Sequence, residues 1–175
     1  MGGVDSRTAP DRTAVATATA AAALGFASAG ISAYWALGGT ALLDTVGGDI
    51  ERWGRERGTA VVAALWTVVA IKVVVALAAP VLVGVVANRL PAWTRSVVLR
   101  ALGWTTVMLL TAYGAVLTIA GVLIEAGAID ADATADDRAL AWHTYLWDPW
   151  FALWGATFLV ALWRTRRTEL SGRRS

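Results

Sequence analysis

The sequence predicts an all-α membrane protein, an antiparallel up-down-up-down four-helix transmembrane bundle with both termini in the cytoplasm. Three observations predict this fold: the composition, four long apolar stretches and the distribution of the arginines. The 175 residues are 57% apolar and 16% charged, with a mean hydropathy of +0.58. Soluble domains need a polar surface and are closer to half apolar and one quarter charged. The composition therefore excludes an ordinary soluble globule.

Four apolar stretches are long enough to cross a membrane. A transmembrane helix needs about 20 residues to cover ~30 Å of hydrocarbon, and a helix satisfies its backbone groups within the span. Because the connecting loops are short, we expect consecutive helices to lie side by side. The predicted spans are about 14–43, 59–87, 97–124 and 140–163, between an N-terminal tail, 1–13, and a basic C-terminal tail, 164–175.

The first stretch has a competing interpretation. It is rich in Ala and Thr, and Ala27-Ser28-Ala29 would serve as the cleavage site of a signal peptide. Acidic residues in the preceding segment, and apolar character that continues to Leu37, favour a retained span. The segment 44–58 that follows carries charges of both signs around Trp53, which predicts a solvated loop or a short surface helix.

The arginines predict the orientation of the bundle, because cytoplasmic loops carry an excess of Lys and Arg. Ten arginines lie in the termini and the second loop, and four lie in the first and third loops. This distribution places both termini in the cytoplasm and predicts a multi-pass protein of the plasma membrane. The ten are Arg7, Arg12, Arg89, Arg95, Arg100, Arg164, Arg166, Arg167, Arg173 and Arg174; the four are Arg52, Arg55, Arg57 and Arg138.

Several chemistries and partners are excluded by composition. The chain has no cysteine and a single histidine, His143, so we expect no disulfide, no metal site and no cofactor. A net charge of +2 gives no reason to expect nucleic acid. The sequence contains no Gly-rich phosphate loop and no serine-nucleophile elbow, and no catalytic residue is assigned. The expected partners are the lipid bilayer and, at the C-terminal arginines, anionic lipid headgroups.

Ionisable residues within the predicted spans are the main functional clue, because they are costly in lipid and usually point into the bundle. Lys72 lies near the middle of the second span and Asp148 in the fourth, on a stripe of small residues typical of helix packing. Their depths match, so we expect either a buried ion pair or a polar chamber open to the outer face. The predicted chamber residues are Lys72, Asp148, Glu125, Tyr34, Tyr145 and His143.

Pro149 predicts an irregular point beside Asp148, because proline lacks a backbone donor and clashes with the carbonyl four residues before it. Two geometries are open: a kinked continuous helix, which we favour, or a short half-helix capped by Asp148. The tryptophans of this span are Trp142, Trp147, Trp150 and Trp154. We expect them to anchor and pack the helix, with a binding cage as the alternative.

Two segments carry a resemblance to a known family. They are Tyr34-Trp35-Ala36-Leu37-Gly38-Gly39-Thr40 and Tyr145-Leu146-Trp147-Asp148-Pro149-Trp150-Phe151. With the length and the four spans, they resemble a family of small four-span bacterial integral-membrane proteins classed as a domain of unknown function. Members often carry a histidine just before the Tyr-Trp pair, where this chain has Ser32, and this departure weakens a proton-relay role there. The resemblance implies a topology and no activity.

Three classes of function remain. The first is a structural or accessory bundle held by a Lys72–Asp148 pair, which predicts no cavity. The second is a small binding or transport protein for a cation or polar solute, which would need a homodimer because four helices form a thin wall around a path. The third is a membrane-embedded enzyme acting on a lipid or isoprenoid, which predicts an acyl-chain-sized groove beside the carboxylates. We rank them in this order, so the sequence favours a protein that is not an enzyme.

Overall fold

The described part of the chain is helical. The computed structural model describes residues 11–85, 91, 94, 96–130 and 136–172, and these residues contain no strand. A short 3₁₀ turn lies at Leu43–Thr45 and a π-helical turn at His143–Trp147. The helices are α1 (Arg12–Ala36), α2 (Gly48–Glu56), α3 (Thr59–Leu82), α4 (Val97–Glu125), α5 (Asp137–Trp142) and α6 (Asp148–Gly172).

Side chains next to the helix ends satisfy backbone groups that the helices leave unpaired. Asp11 accepts from the Thr13 amide at 3.0 Å, and Ser96 accepts from the Leu99 amide at 3.3 Å. At the other end of α1, the guanidinium of Arg57 donates to the Ala36 carbonyl at 3.2 Å and to the Trp35 carbonyl at 3.4 Å. Arg57 thereby ties the end of α1 to the start of α3.

Three of the four predicted spans form helices long and apolar enough to cross a membrane: α1, α3 and α4. The first ends at Ala36 rather than near residue 43, because Gly38 adopts a φ of 107° that only glycine reaches easily. The second ends at Leu82, before Gly84 with its φ of 85°. Residues 86–90, which include the predicted end of this span and Arg89, lie outside the described residues, as do Arg7, Arg95, Arg173 and Arg174.

The fourth predicted span is helical but not one regular α-helix. It consists of the end of α5, the π-turn and the first part of α6, and it contains Asp148. In the π-turn, the amide of Asp148 donates to the carbonyl of His143, five residues earlier. A widened turn accommodates Pro149, which has no amide to donate and whose ring would crowd a regular turn. The chain therefore continues helically through this point, as favoured above, and Asp148 does not start an isolated half-helix.

The long helices pack side by side with alternating direction. Helix α1 packs against α3 and α6, α4 packs against α6, and α3 touches α4. Helices α1 and α3 run in opposite directions. Lys72 contacts Ser32, whereas Ala76, one turn later in α3, lies against Gly25, which comes earlier in α1. The same reversal relates α4 to α6: Gly121 faces Thr144, Gly114 faces Ala152, and Gly103 faces Leu162.

Small side chains bring the helices together, and two aromatic rings fill the space between them. Ala21 of α1 and Ala76 of α3 are fully buried. Trp154 and Phe158 of α6 are the largest fully buried side chains. Large apolar side chains such as Val74, Leu109 and Val116 are about two-thirds exposed on the outside, a distribution typical of a surface solvated by lipid.

Candidate functional site

Lys72 lies at the contact between α3 and α1. Its Nζ atom donates to the Ser32 hydroxyl at 2.9 Å and to the Ser28 carbonyl at 3.4 Å. The same atom lies 5.5 Å from the ring centre of Phe151, within the range of a cation–π interaction. Ser28 and Ser32 are one turn apart on the buried face of α1, so two successive turns of that helix offer oxygen atoms to one ammonium group.

The predicted ion pair between Lys72 and Asp148 is not formed. Among the described residues, the carboxylate of Asp148 contacts the imidazole of His143, with Oδ1 3.4 Å from Nδ1. The backbone of Asp148 packs against Gly114 of α4, whereas Lys72 faces α1. The two charged groups thus belong to different helix contacts.

A groove between α1, α2 and α3 ends at Lys72. We call this cavity, of about 590 Å³, the α1–α3 groove. One face of the first half of α3, from Ala60 to Lys72, forms its wall, and α2 covers its far end with Ile50 and Trp53. At 1.5 Å per residue, that wall is about 18 Å long. The lining is apolar apart from the end where Lys72 and Ser32 lie. The apolar residues include Trp35, Val61 and Val68.

A smaller cavity of about 140 Å³ is also lined by Lys72. Its lining includes Lys72, His143, Trp147 and Phe151. We call it the Lys72–His143 cavity. Lys72 and Trp35 line both spaces, so the long apolar groove and the small cavity lined by the imidazole of His143 adjoin the same two side chains.

The remaining predicted chamber residues lie elsewhere. The Tyr145 hydroxyl donates to the carboxylate of Glu125, and Tyr145 is 67% exposed. Tyr34 covers Gly39 in the turn after α1, where its hydroxyl accepts from the Ala41 amide at 3.4 Å. Neither tyrosine nor Glu125 lines the groove or the Lys72–His143 cavity. The six predicted residues are therefore divided between at least two places.

Serine and tryptophan residues complete the site, and the sequence alone did not identify the serines as partners of Lys72. Ser28 and Ser32 are four residues apart and therefore lie on one face of α1, and this spacing is the sequence signal that could have identified them. Two of the tryptophans hold segments together: Trp147 Nε1 donates to Thr45 Oγ1 at 3.1 Å, and Trp150 Nε1 donates to the Leu24 carbonyl at 3.2 Å.

Within the described residues, no group of three His, Cys, Asp or Glu side chains is placed to hold a metal ion.

Comparison with models of protein families shows which family the chain belongs to. A family model described as "Protein of unknown function (DUF3995)" matches residues 25–158. The chain belongs to this family. The match confirms the resemblance to a domain of unknown function, and it includes both Tyr- and Trp-containing segments, Ser32, Lys72 and Asp148. No curated protein and no solved structure matches the chain.

Proposed function

We propose that this DUF3995 protein crosses the plasma membrane four times, with both termini in the cytoplasm. The three long apolar helices support three crossings, and the helical segment from Leu140 to Trp163 would supply the fourth. At 1.5 Å per residue this segment is about 36 Å long, enough for the ~30 Å hydrocarbon core. The ten-to-four arginine distribution supports the orientation.

Reporter fusions test this topology. A reporter at Ser175 and one inserted between Asp130 and Asp136 should give opposite locations, with the C-terminal reporter cytoplasmic. Two reporters on the same side of the membrane would rule out four crossings.

Within this framework, we infer that the α1–α3 groove binds an apolar molecule that carries an anionic or hydrogen-bond-accepting group. The observation that carries the proposal is an elongated apolar cavity of about 590 Å³ that ends on Lys72 and Ser32. Ligand pockets commonly have volumes of about 300–1,000 Å³, with apolar walls and few polar groups that fix the orientation of the ligand. A fatty-acid-like amphiphile has this pattern of one polar group and a long apolar chain.

The hydrogen bonds of Lys72 favour an acceptor on the ligand. An ammonium group has three donors, and within the described residues its acceptors are the Ser32 hydroxyl and the Ser28 carbonyl. A charged group in an apolar environment is costly unless it is paired and hydrogen-bonded. A ligand carboxylate at the end of the groove would supply both the missing acceptor and the opposite charge.

The other classes receive less support. The structural class depended on the Lys72–Asp148 pair and on a bundle without cavities. The enzyme class needs a carboxylate beside the groove, and the described residues that line the groove include none. The transport class is favoured by one observation, that Lys72 lines two cavities. Passage from one cavity to the other, in a homodimer, is therefore our second candidate function.

A photoreactive fatty acid tests binding in the groove. The full-length protein in phosphatidylcholine nanodiscs would be labelled with diazirine-bearing palmitic acid, and the labelled residues mapped by mass spectrometry. We expect labels on the α3 face between Val61 and Val68. Val68→Trp, which fills the groove, should reduce labelling about tenfold. Val74→Trp, on the exposed side of the same helix, is the matched control and should leave labelling unchanged.

The role of Lys72 is tested with the same assay. Lys72→Met should weaken labelling by the fatty acid and should have little effect on labelling by the corresponding fatty alcohol, which has no negative charge. Equal labelling of the wild type and Val68→Trp would refute binding in the groove. Equal effects of Lys72→Met on the acid and the alcohol would refute charge pairing.

We also propose that the C-terminal arginines contact anionic lipid headgroups. Arg164, Arg166 and Arg167 extend from the end of the apolar part of α6, and Arg167 stacks on Trp163 with its guanidinium carbon 3.7 Å from the ring centre. Basic residues at a membrane surface attract anionic lipids. Trp163 would supply the interfacial ring next to them.

A further inference from the structure

A second cavity lies at the end of the bundle opposite the α1–α3 groove. It has a volume of about 350 Å³ and lies where α3 ends, where α4 begins and along the last turns of α6. Gly103 of α4 lies against the tip of the Leu82 side chain at this point. We call this space the Arg100–Arg166 cavity after the two arginines that line it.

The rim of this cavity is positively charged by residues from two helices. Arg100 is one turn into α4, and Arg166 is in the second half of α6. Thr165 also lines the cavity, and its hydroxyl donates to the Ala161 carbonyl at 2.9 Å. The first residue of α4, Val97, also lines the cavity, so the N-terminus of this helix lies beside it. These charges are complementary to an anion.

The interior of the cavity is apolar. Leu82, Trp104 and Leu162 line it, and all three belong to or pack against the hydrophobic core. A free inorganic anion would use the charged rim and leave this apolar surface uncovered. A phospholipid would use both, because its phosphate is followed within a few atoms by acyl chains.

We propose that the Arg100–Arg166 cavity binds an anionic glycerophospholipid. The phosphodiester contacts Arg100 and Arg166, and the first part of the acyl chains packs on Leu82, Trp104 and Leu162. This proposal rests on the membrane placement given above. It assigns Arg166 of the basic C-terminal region to a defined lipid-binding site, in addition to the general attraction between that region and anionic headgroups. It does not depend on a ligand in the α1–α3 groove.

Lipid titration of the full-length protein tests the site. Binding would be measured by native mass spectrometry of the protein in detergent, with phosphatidylglycerol, phosphatidylcholine or inorganic phosphate as the probe. We expect phosphatidylglycerol to bind in preference to the other two. Replacing Arg100 and Arg166 together by glutamine should weaken that binding roughly 30-fold, the combined effect of two basic residues near an anionic lipid surface.

The matched control removes the same charge away from the cavity. Replacing Arg52 and Arg55 of α2 by glutamine removes two arginines that do not line the cavity, and this variant should retain binding within about threefold of the wild type. An equal loss in both double variants would refute a defined site and favour diffuse electrostatic attraction. Equal binding of phosphatidylcholine, or an equally strong effect of inorganic phosphate, would overturn the choice of ligand.

A second variant protects the test from misfolding of the arginine mutant. Ala101→Trp fills the cavity without a change of charge, and it should also abolish the preference for phosphatidylglycerol. Its neighbour Leu102 is 56% exposed and does not line the cavity, so Leu102→Trp should bind normally. Normal binding by Ala101→Trp would refute the proposal. Fatty-acid labelling of the α1–α3 groove is a separate assay, so the proposal for the groove and the proposal for this cavity can be refuted independently.

Discussion

Substitution of Gly114 by alanine should destabilise the protein, because at this residue α4 lies directly against the backbone of α6. A Cβ atom on Gly114 would overlap the Ala152 amide nitrogen and the Asp148 carbonyl oxygen, and would lie 2.9 Å from the Ala152 Cα. These are backbone atoms and cannot rotate away as a side chain would. The two helices must therefore separate.

The size of the effect follows from two opposing terms. Overpacking a helix contact costs about 1–3 kcal/mol, and contact with backbone argues for the upper end of that range. Alanine regains about 1 kcal/mol through its higher helix propensity. We therefore expect Gly114→Ala to lower the free energy of unfolding by about 2 kcal/mol. At ~2–4 °C per kcal/mol for a chain of this length, the melting temperature should fall by roughly 4–8 °C.

Gly30 provides the matched control. It lies in α1, it is exposed, and a Cβ atom there would have no neighbour within 4 Å. Gly30→Ala should gain the helix-propensity term without the clash, so its melting temperature should rise by roughly 2–4 °C. The assay is thermal unfolding of both purified variants in the same detergent, followed by circular dichroism. A Gly114→Ala protein as stable as Gly30→Ala would show that α4 and α6 do not approach as closely as described.

Three further substitutions test individual contacts by the same measurement. Arg57→Gln removes the guanidinium that caps α1 and should lower the free energy of unfolding by about 1 kcal/mol. The control, Arg52→Gln, breaks only an exposed pair with Asp49 and should change the free energy of unfolding by less than about 0.5 kcal/mol. Equal effects of the two substitutions would contradict the capping role of Arg57. Trp150→Phe removes the hydrogen bond to the Leu24 carbonyl and should cost about 1 kcal/mol, and an unchanged melting temperature would contradict that bond. His143→Phe leaves the Asp148 carboxylate without its partner and should lower the free energy of unfolding by about 1–3 kcal/mol. Adding Asp148→Leu should recover part of that stability. If the effects of the two substitutions simply add, the two side chains do not interact.

Helix faces were predictable where the signal is local. Gly114 and Gly121 in α4, and Thr144 and Asp148 in the fourth span, are spaced so that each pair lies on one face of a helix, and all four are buried. Such spacing depends only on the geometry of one helix. It therefore identifies which side of a helix is packed without knowledge of its neighbours.

The partner of Lys72 was not predictable in the same way. Its distance from the start of α3 gives its depth, and depth alone made Asp148 a reasonable partner. Pairing also requires that the two helices are rotated to face each other. The rotation of α6 depends on the π-turn, which the apolar pattern of the sequence does not reveal, and the alanine-rich background of α1 made Ser28 and Ser32 inconspicuous.

The α1–α3 groove also depends on tertiary arrangement. The segment 44–58 was expected to be a solvated loop or a short surface helix, and α2 does form there with none of its residues buried. Its Ile50 and Trp53 nevertheless cover the end of the groove. The folding of α2 over α3 depends on the turn at Arg57, whose φ of 53° is rare for a residue other than glycine, and composition gives no indication of that conformation.

The π-turn at His143–Trp147 gives this chain room to vary in length. A π-turn closes its hydrogen bond over five residues where an α-turn uses four, so it holds one residue more for about the same rotation of the chain. Removing one residue here would therefore restore a regular α-helix and leave α5 and α6 close to their present orientation, with Ala139 still against Gly47. Removing two residues would turn α5 by about 100° relative to α6 and break that contact. Alignments of the DUF3995 family should therefore tolerate the loss of one residue between Ala139 and Asp148 but not of two, and the shorter sequences should lack the proline at position 149, whose ring a regular turn would crowd.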